Sequence, residues 1–171
     1  RHGPPTEKRE RTHPRLRYSD LKSLNVLMAS TDASNLDLVK LMDFGDALEL
    51  DNETSSDPPN LGTPRWAAPE TLKQQPFNTK ADIYSLGVVL WELCTADTPF
   101  TDLAFNYQVE EAVIAGDRPL IPSQSTSEGY AYAHLIEWCW QSDPEKRPTA
   151  EQVLAMLEEI QEEYRAANAA K

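Results

Sequence analysis

The stretch Asp20-Leu21-Lys22-Ser23-Leu24-Asn25, followed eighteen residues after Asn25 by Asp43-Phe44-Gly45, decides the reading of this chain. The first segment sets out a carboxylate, an ammonium and an amide at close spacing, just ahead of the apolar run Val26–Met28. A second apolar run, Leu36–Met42, follows the polar stretch Ser30–Asn35 and ends against Asp43. Two short apolar runs about a polar turn predict a small β-hairpin. A hairpin returns its ends to the same side, so Asn25 and Asp43 can converge on one ion. Asp and Asn offer hard oxygen ligands, the kind that suits Mg²⁺. Alone, each piece is weak. Short tripeptides arise by chance, and a solitary Asp20 is more often a turn residue than a base.

Outward from this centre, residues 1–14 hold Pro4, Pro5 and Pro14, show no helical or strand period, and read as irregular. Residues 46–64 are rich in Asp, Ser, Thr, Asn and Pro and predict a long surface loop. From residue 80 the chain turns helical. Lys80–Cys94 is apolar almost all round, and a helix without a polar face is normally buried inside its domain. Asn106–Ala115 and Tyr130–Trp140 are shorter helical candidates, separated by Arg118–Gly129 with Pro119 and Pro122. Thr149 with Gln152 makes a capping box for a last helix. There Val153, Leu154, Met156, Leu157 and Ile160 are expected on one face, with Glu158, Glu159, Glu162 and Glu163 solvated. The expected fold is mostly α with a small β-hairpin.

Composition sets bounds. With 28 Asp+Glu against 16 Lys+Arg the formal charge is −12, which argues against a nucleic-acid-binding surface. The first 17 residues nevertheless carry six Lys/Arg against Glu7 and Glu10, a basic head that reads as a solvated linker or docking arm. Cys94 and Cys139 both lie in apolar helical contexts and read as buried, reduced thiols. The most apolar stretch, Tyr84–Leu93, contains Glu92 and is too short to span a bilayer, and no apolar leader segment opens the chain. An intracellular, cytoplasmic location is expected.

Further motifs follow in order. After Asp43-Phe44-Gly45 and the Ser/Thr-rich loop comes Gly62-Thr63-Pro64-Arg65-Trp66-Ala67-Ala68-Pro69-Glu70, then Asp82-Ile83-Tyr84-Ser85-Leu86-Gly87, then Asp143-Pro144-Glu145-Lys146-Arg147-Pro148. In this order they resemble the eukaryotic protein kinase family from its catalytic loop to its last helix, over about residues 15–164. The resemblance implies the C-lobe of the kinase fold, α+β in the family as a whole, with residues 15–171 as a partial kinase domain after the basic head.

It also implies roles. Asp20 matches the carboxylate that accepts or orients the substrate hydroxyl proton, and Lys22 the lysine that steadies the γ-phosphate of ATP. Asn25 and Asp43 match the Mg²⁺ ligands, where Mn²⁺ could substitute. Leu27 matches the apolar floor under the adenine ring. The segment from Gly62 to Glu70 seats the protein substrate, and Thr63 matches the threonine touching the catalytic Asp and Lys. Asp82 matches the carboxylate bracing the catalytic-loop backbone, while Glu70 and Arg147 match a structural ion pair. Lys22 and Gly62-Thr63 resemble Ser/Thr kinases. Gly116-Asp117-Arg118-Pro119, Pro122 and Cys139-Trp140 resemble tyrosine kinases and their relatives. The mixture points to the tyrosine-kinase-like Ser/Thr group and a role in signal transduction.

Three departures from the family pattern matter. Tyr18-Ser19-Asp20 stands where the family has His-Arg-Asp, so no arginine awaits a phosphorylated loop, and phosphorylation at Thr54, Ser55 or Ser56 is not expected to be the main switch. Residues 1–14 lack the amphipathic helix that leads into the catalytic loop. No Gly-rich phosphate loop or Val-Ala-Ile-Lys strand occurs, so the N-lobe is expected to be missing and these 171 residues alone to be a poor catalyst. Two readings follow: part of a Ser/Thr kinase, or a non-catalytic, pseudokinase-like binding module. Either way an apolar patch around Leu27 and Met42 would be open, and a protein partner is expected to cover it.

Overall fold

A computed structural model describes residues 15–28, 39–50 and 63–169. The irregular head, the hairpin turn at 30–35, and the loop holding Thr54, Ser55, Ser56 and Gly62 lie outside the described residues. Strands β1 (Arg15–Arg17), β2 (Val26–Met28), β3 (Val39–Leu41) and β4 (Leu48–Leu50) precede helices α1 (Pro69–Leu72), α2 (Lys80–Thr95), α3 (Asn106–Ala115), α4 (Ser127–Cys139) and α5 (Ala150–Ala169). Helices dominate, as expected.

The expected hairpin is present: β2 and β3 pair antiparallel with Leu27 opposite Lys40. A second two-stranded sheet was not expected. In it β1 pairs antiparallel with β4, Leu16 opposite Glu49, so residues 48–50 are a strand rather than surface loop. Three residues are too few for alternation to stand out, and the partners lie far apart in sequence.

Helix α2 is the axis of the helical part. Ala81, Ile83, Tyr84, Gly87, Val88, Val89, Leu90 and Trp91 are all buried on it. Its start is set by Asn78, whose side-chain oxygen accepts from the Lys80 amide at 2.8 Å. It ends at Ala96 in a left-handed conformation, φ 54°. Gly87 allows the closest approach in the core, because a Cβ there would stand 2.7 Å from Cys139 Cβ on α4. Around α2 pack Val109 and Val113 of α3, Leu135 and Ile136 of α4, and Val153 of α5, all buried. Each such side chain contributes roughly 1.5–3 kcal/mol when withdrawn from water.

The capping box expected for the last helix is present. Thr149 and Gln152 exchange bonds, Thr149 N to Gln152 Oε1 at 2.8 Å and Gln152 N to Thr149 Oγ1 at 3.3 Å. Gly116, at φ 102°, closes α3 where an L side chain would be strained. Helix α4 begins at Ser127, three residues before the expected start, because Thr126 Oγ1 accepts from the Gly129 amide at 3.2 Å.

Two expectations are corrected. Cys94 is exposed rather than buried, since it falls on the last turn of α2, beyond the packed part of that helix. Leu154 on α5 is also exposed, because Val153, Met156, Leu157 and Ile160 already supply the stripe that meets the core. No helix among the described residues is long and apolar enough to cross a membrane.

Candidate active site

The loop carrying Asp20 leaves β1 and enters β2 through a 3-10 turn at Ser23–Asn25. Its backbone is held from α2. The Tyr18 and Ser19 amides donate to Asp82 Oδ2 and Oδ1 at 2.7 and 3.0 Å. Ser19 takes φ 77°, a left-handed conformation uncommon for a non-glycine residue. Burial pushes the Asp82 carboxyl up from its ordinary value, while the two amides and the Arg17 guanidinium pull it back. The carboxylate therefore sits in a place that only these donors make tolerable.

Four of the predicted side chains close into one network. Lys22 Nζ lies 2.6 Å from Asp20 Oδ2 and donates to Thr63 Oγ1 at 2.9 Å. Thr63 Oγ1 in turn donates to Asp20 Oδ1 at 3.1 Å. Asn25 Nδ2 donates to the Asp20 carbonyl at 2.8 Å and to Asp20 Oδ2 at 3.0 Å. The Lys22 and Asp20 side chains keep 18% and 11% exposure, so both still reach the surface.

Asp43 follows Met42 in the chain, and the Met42 amide donates to the Asn25 carbonyl at 3.0 Å at the base of the hairpin. With its amide nitrogen committed to Asp20, Asn25 has its amide oxygen to offer a cation. Asp43 is exposed, at φ 61°, and its Oδ1 accepts from the Gly45 amide at 3.3 Å. One amide oxygen and one carboxylate, both hard ligands with room for water and phosphate oxygens, fit Mg²⁺. The Tyr18 hydroxyl donates to the Met42 carbonyl, and its ring meets Phe44 edge-on at 5.1 Å. Burial first, then the Asp20 and Asp43 carboxylates, push the Tyr18 phenol up, so it remains a donor. Leu27 is 51% exposed on β2, with Met28, Leu41 and Met42 also open, so the outer hairpin surface is an apolar strip.

Glu70 and Arg147 stand apart from this network. They form a two-pronged pair, Nη1 to Oε1 at 2.6 Å and Nη2 to Oε2 at 2.8 Å, with both side chains buried. Arg147 also donates to the carbonyls of Gln141 and Lys80 at 2.7 and 2.9 Å.

With that geometry in view, a family model for the protein kinase domain matches residues 13–157. The chain belongs to the protein kinase family. Serine/threonine/tyrosine-protein kinase HT1 of Arabidopsis thaliana is 38% identical over 145 residues, covering 85% of this chain and 35% of that protein. Dual specificity protein kinase shkD of Dictyostelium discoideum is 36% identical over 152 residues, covering 85% and 19%. Probable serine/threonine-protein kinase roco5 of Dictyostelium discoideum is 38% identical over 141 residues, covering 80% and 5%. The chain thus spans about a third or less of the length of these curated relatives.

Three further residues of this kinase chain escaped the sequence reading. Glu92 accepts from Ser23 Oγ at 2.9 Å and from Trp66 Nε1 at 2.8 Å, joining the Asp20–Asn25 loop to the 63–70 segment. Its signal was present: it is the only charged residue within the apolar run Tyr84–Leu93. Arg65 donates to the carbonyls of Pro99, at 2.6 Å, Phe100 and Leu103, at 3.1 Å, fixing the loop after α2 against the same segment. Arg17 is buried, donates to Thr71 Oγ1 at 3.1 Å, and lies 3.9 Å from the Phe77 ring centroid. Nothing in the sequence pattern marks the last two, because their partners are carbonyls and rings far along the chain.

Proposed function

We propose that the complete protein is a Ser/Thr protein kinase of the tyrosine-kinase-like group, transferring the γ-phosphoryl group of ATP to protein hydroxyls in signal transduction. The observation that carries this reading is the closed network of Asp20, Lys22 and Thr63 beside Asn25. Phosphoryl transfer asks a protein mainly for positioning and charge, and these residues supply both. Asp20 accepts or orients the proton of the incoming hydroxyl as its oxygen bonds to the γ-phosphorus and ADP departs with the bridging oxygen. Lys22 keeps its ammonium beside the transferring group, and Thr63 fixes the spacing of that ammonium and carboxylate. Asn25 and Asp43 would hold Mg²⁺, or Mn²⁺, which when bound neutralises phosphate charge. The apolar strip at Leu27 offers the adenine ring a surface, and the segment from Thr63 to Glu70 receives the protein substrate.

The subgroup rests on residues that also act together. Arg118 of the Gly116-Asp117-Arg118-Pro119 run donates to the Trp140 carbonyl at 3.1 Å and to Ser142 Oγ at 3.0 Å, tying that run to Cys139-Trp140. Relatives named for both serine/threonine and tyrosine or dual specificity fit such a mixed pattern. Dependence on ATP fits the intracellular, cytoplasmic location expected for it.

The test is transfer of label from γ-labelled ATP by the complete protein with Mg²⁺, followed by phosphoamino-acid analysis of the acceptor. Label on serine and threonine is expected. Label on tyrosine alone, or none although nucleotide binds, overturns the reading.

A further inference from the structure

Helix α2 meets the two segments of the site along one face. Asp82, Ser85 and Glu92 lie three and then seven residues apart, spacings that recur on one side of a helix. Asp82 accepts the Tyr18 and Ser19 amides and so holds the chain leading into Asp20. Ser85 Oγ donates to the Trp66 carbonyl at 2.8 Å and so holds the 63–70 segment. Of the three, only Glu92 reaches both: Oε1 accepts from Ser23 Oγ at 2.9 Å and Oε2 from Trp66 Nε1 at 2.8 Å. Neither partner is charged, so the carboxylate supplies two acceptors in fixed positions rather than half of an ion pair.

Among the described residues, the other side-chain link between these segments is Thr63, and it stands where phosphoryl transfer would disturb it. Thr63 Oγ1 accepts from Lys22 Nζ and donates to Asp20 Oδ1. Asp20 Oδ2 already takes Lys22 Nζ and Asn25 Nδ2. A hydroxyl that gives its proton to this carboxylate therefore arrives at Oδ1, beside Thr63 or in its place. The Glu92 link lies outside that exchange, since its bonds share no atom with the network of Asp20, Lys22 and Thr63.

We infer that Glu92 is a positioning residue for phosphoryl transfer: its carboxylate ties Ser23 to Trp66, and so keeps the 63–70 segment in register with Asp20 while an incoming hydroxyl exchanges with Thr63. The inference rests on the proposed reading of Asp20 as the proton acceptor and of the 63–70 segment as the seat of the protein substrate. Its first readout needs neither nucleotide nor substrate.

In the complete protein, ¹⁵N-labelled at tryptophan, the Trp66 indole N–H resonance reports the link directly. Ser23→Ala, which removes a hydroxyl bonded to Glu92 rather than to the indole, is expected to shift that resonance. In a Glu92→Leu background the same change is expected to leave it unmoved. Kinetics then test the function. Glu92→Leu is expected to lower kcat per bound nucleotide by about ten- to a hundredfold, the scale of a misplaced reacting group, with Mg·ATP affinity unchanged. Glu92→Gln is expected to restore most of that loss, because its amide oxygen can accept from Trp66 while its amide nitrogen donates to the Ser23 hydroxyl oxygen. Ser23→Ala, with a smaller fall expected, carries the kinetic test if Glu92→Leu does not fold. The inference is overturned if Ser23→Ala leaves the Trp66 resonance at its wild-type position, or if the variant that carries the kinetic test transfers phosphate at the wild-type rate per bound nucleotide. It is overturned equally if Glu92→Gln falls as far as Glu92→Leu, which would assign the effect to the negative charge. A coupled indole resonance in a protein with no transfer activity would sink the kinase reading and leave the Ser23–Glu92–Trp66 link standing.

Discussion

The Asp82 carboxylate accepts the Tyr18 and Ser19 amides while buried in a setting that disfavours its charge. Stability and function then pull in opposite directions with pH. Because the folded-state value is raised, the native state binds more protons than the unfolded one in the window between the two values. Stability from this group is present below that window and is lost as pH rises through it. The loop clamp, by contrast, forms as pH rises and the carboxylate appears. Asp82→Asn is therefore expected to gain stability relative to wild type as pH is raised above the ordinary aspartate range, and to lose transfer activity over the same range. Chemical denaturation at a series of pH values checks the sign. A relative stability of Asp82→Asn that fell with rising pH would contradict it. At this scale the sequence was legible where spacing is short, as for Asp20, Lys22 and Asn25, whose side chains meet. It was silent for Arg17, whose Thr71 and Phe77 partners are brought to it only by the fold.

Elements were read well where a period runs long enough to be seen. Helix α2 was visible as an apolar block, the hairpin as two runs about a polar turn, and α5 from its capping pair. The β1–β4 ladder was not, since three-residue strands carry almost no period. The exposure of Cys94 was missed because apolar composition alone does not say where packing against α4 and α5 stops. The contact between α2 and α4 depends on a missing side chain. Gly87→Ala would place a Cβ 2.7 Å from Cys139 Cβ and 3.2 Å from the Trp140 amide nitrogen. Overpacking of this kind is expected to cost about 1–3 kcal/mol in unfolding free energy. Unchanged denaturation midpoints would show that the two helices can slide apart freely.

At the largest scale, Glu70 and Arg147 join the end of the 63–70 segment to the turn before α5, 77 positions apart in sequence. Glu70→Ala leaves a buried guanidinium unpaired, and the expected loss is about 3–5 kcal/mol, read as a lower unfolding midpoint of the kinase domain. A loss within experimental error would mean that water or neighbouring carbonyls replace the carboxylate. The same strut holds α1, whose Thr71 hydroxyl accepts from Arg17 of β1 at 3.1 Å, so β1, the 63–70 segment and the helical core form one connected frame.

The central claim is that Asp20 handles the substrate proton in phosphoryl transfer. The most direct measurement is kcat for Asp20→Asn against wild type in the γ-labelled ATP assay, with Mg·ATP affinity measured alongside. General-base catalysis of this kind is worth about 10²–10⁴-fold, so a loss of at least about a hundredfold is expected with nucleotide affinity little changed. Transfer by Asp20→Asn at the wild-type rate would contradict the account.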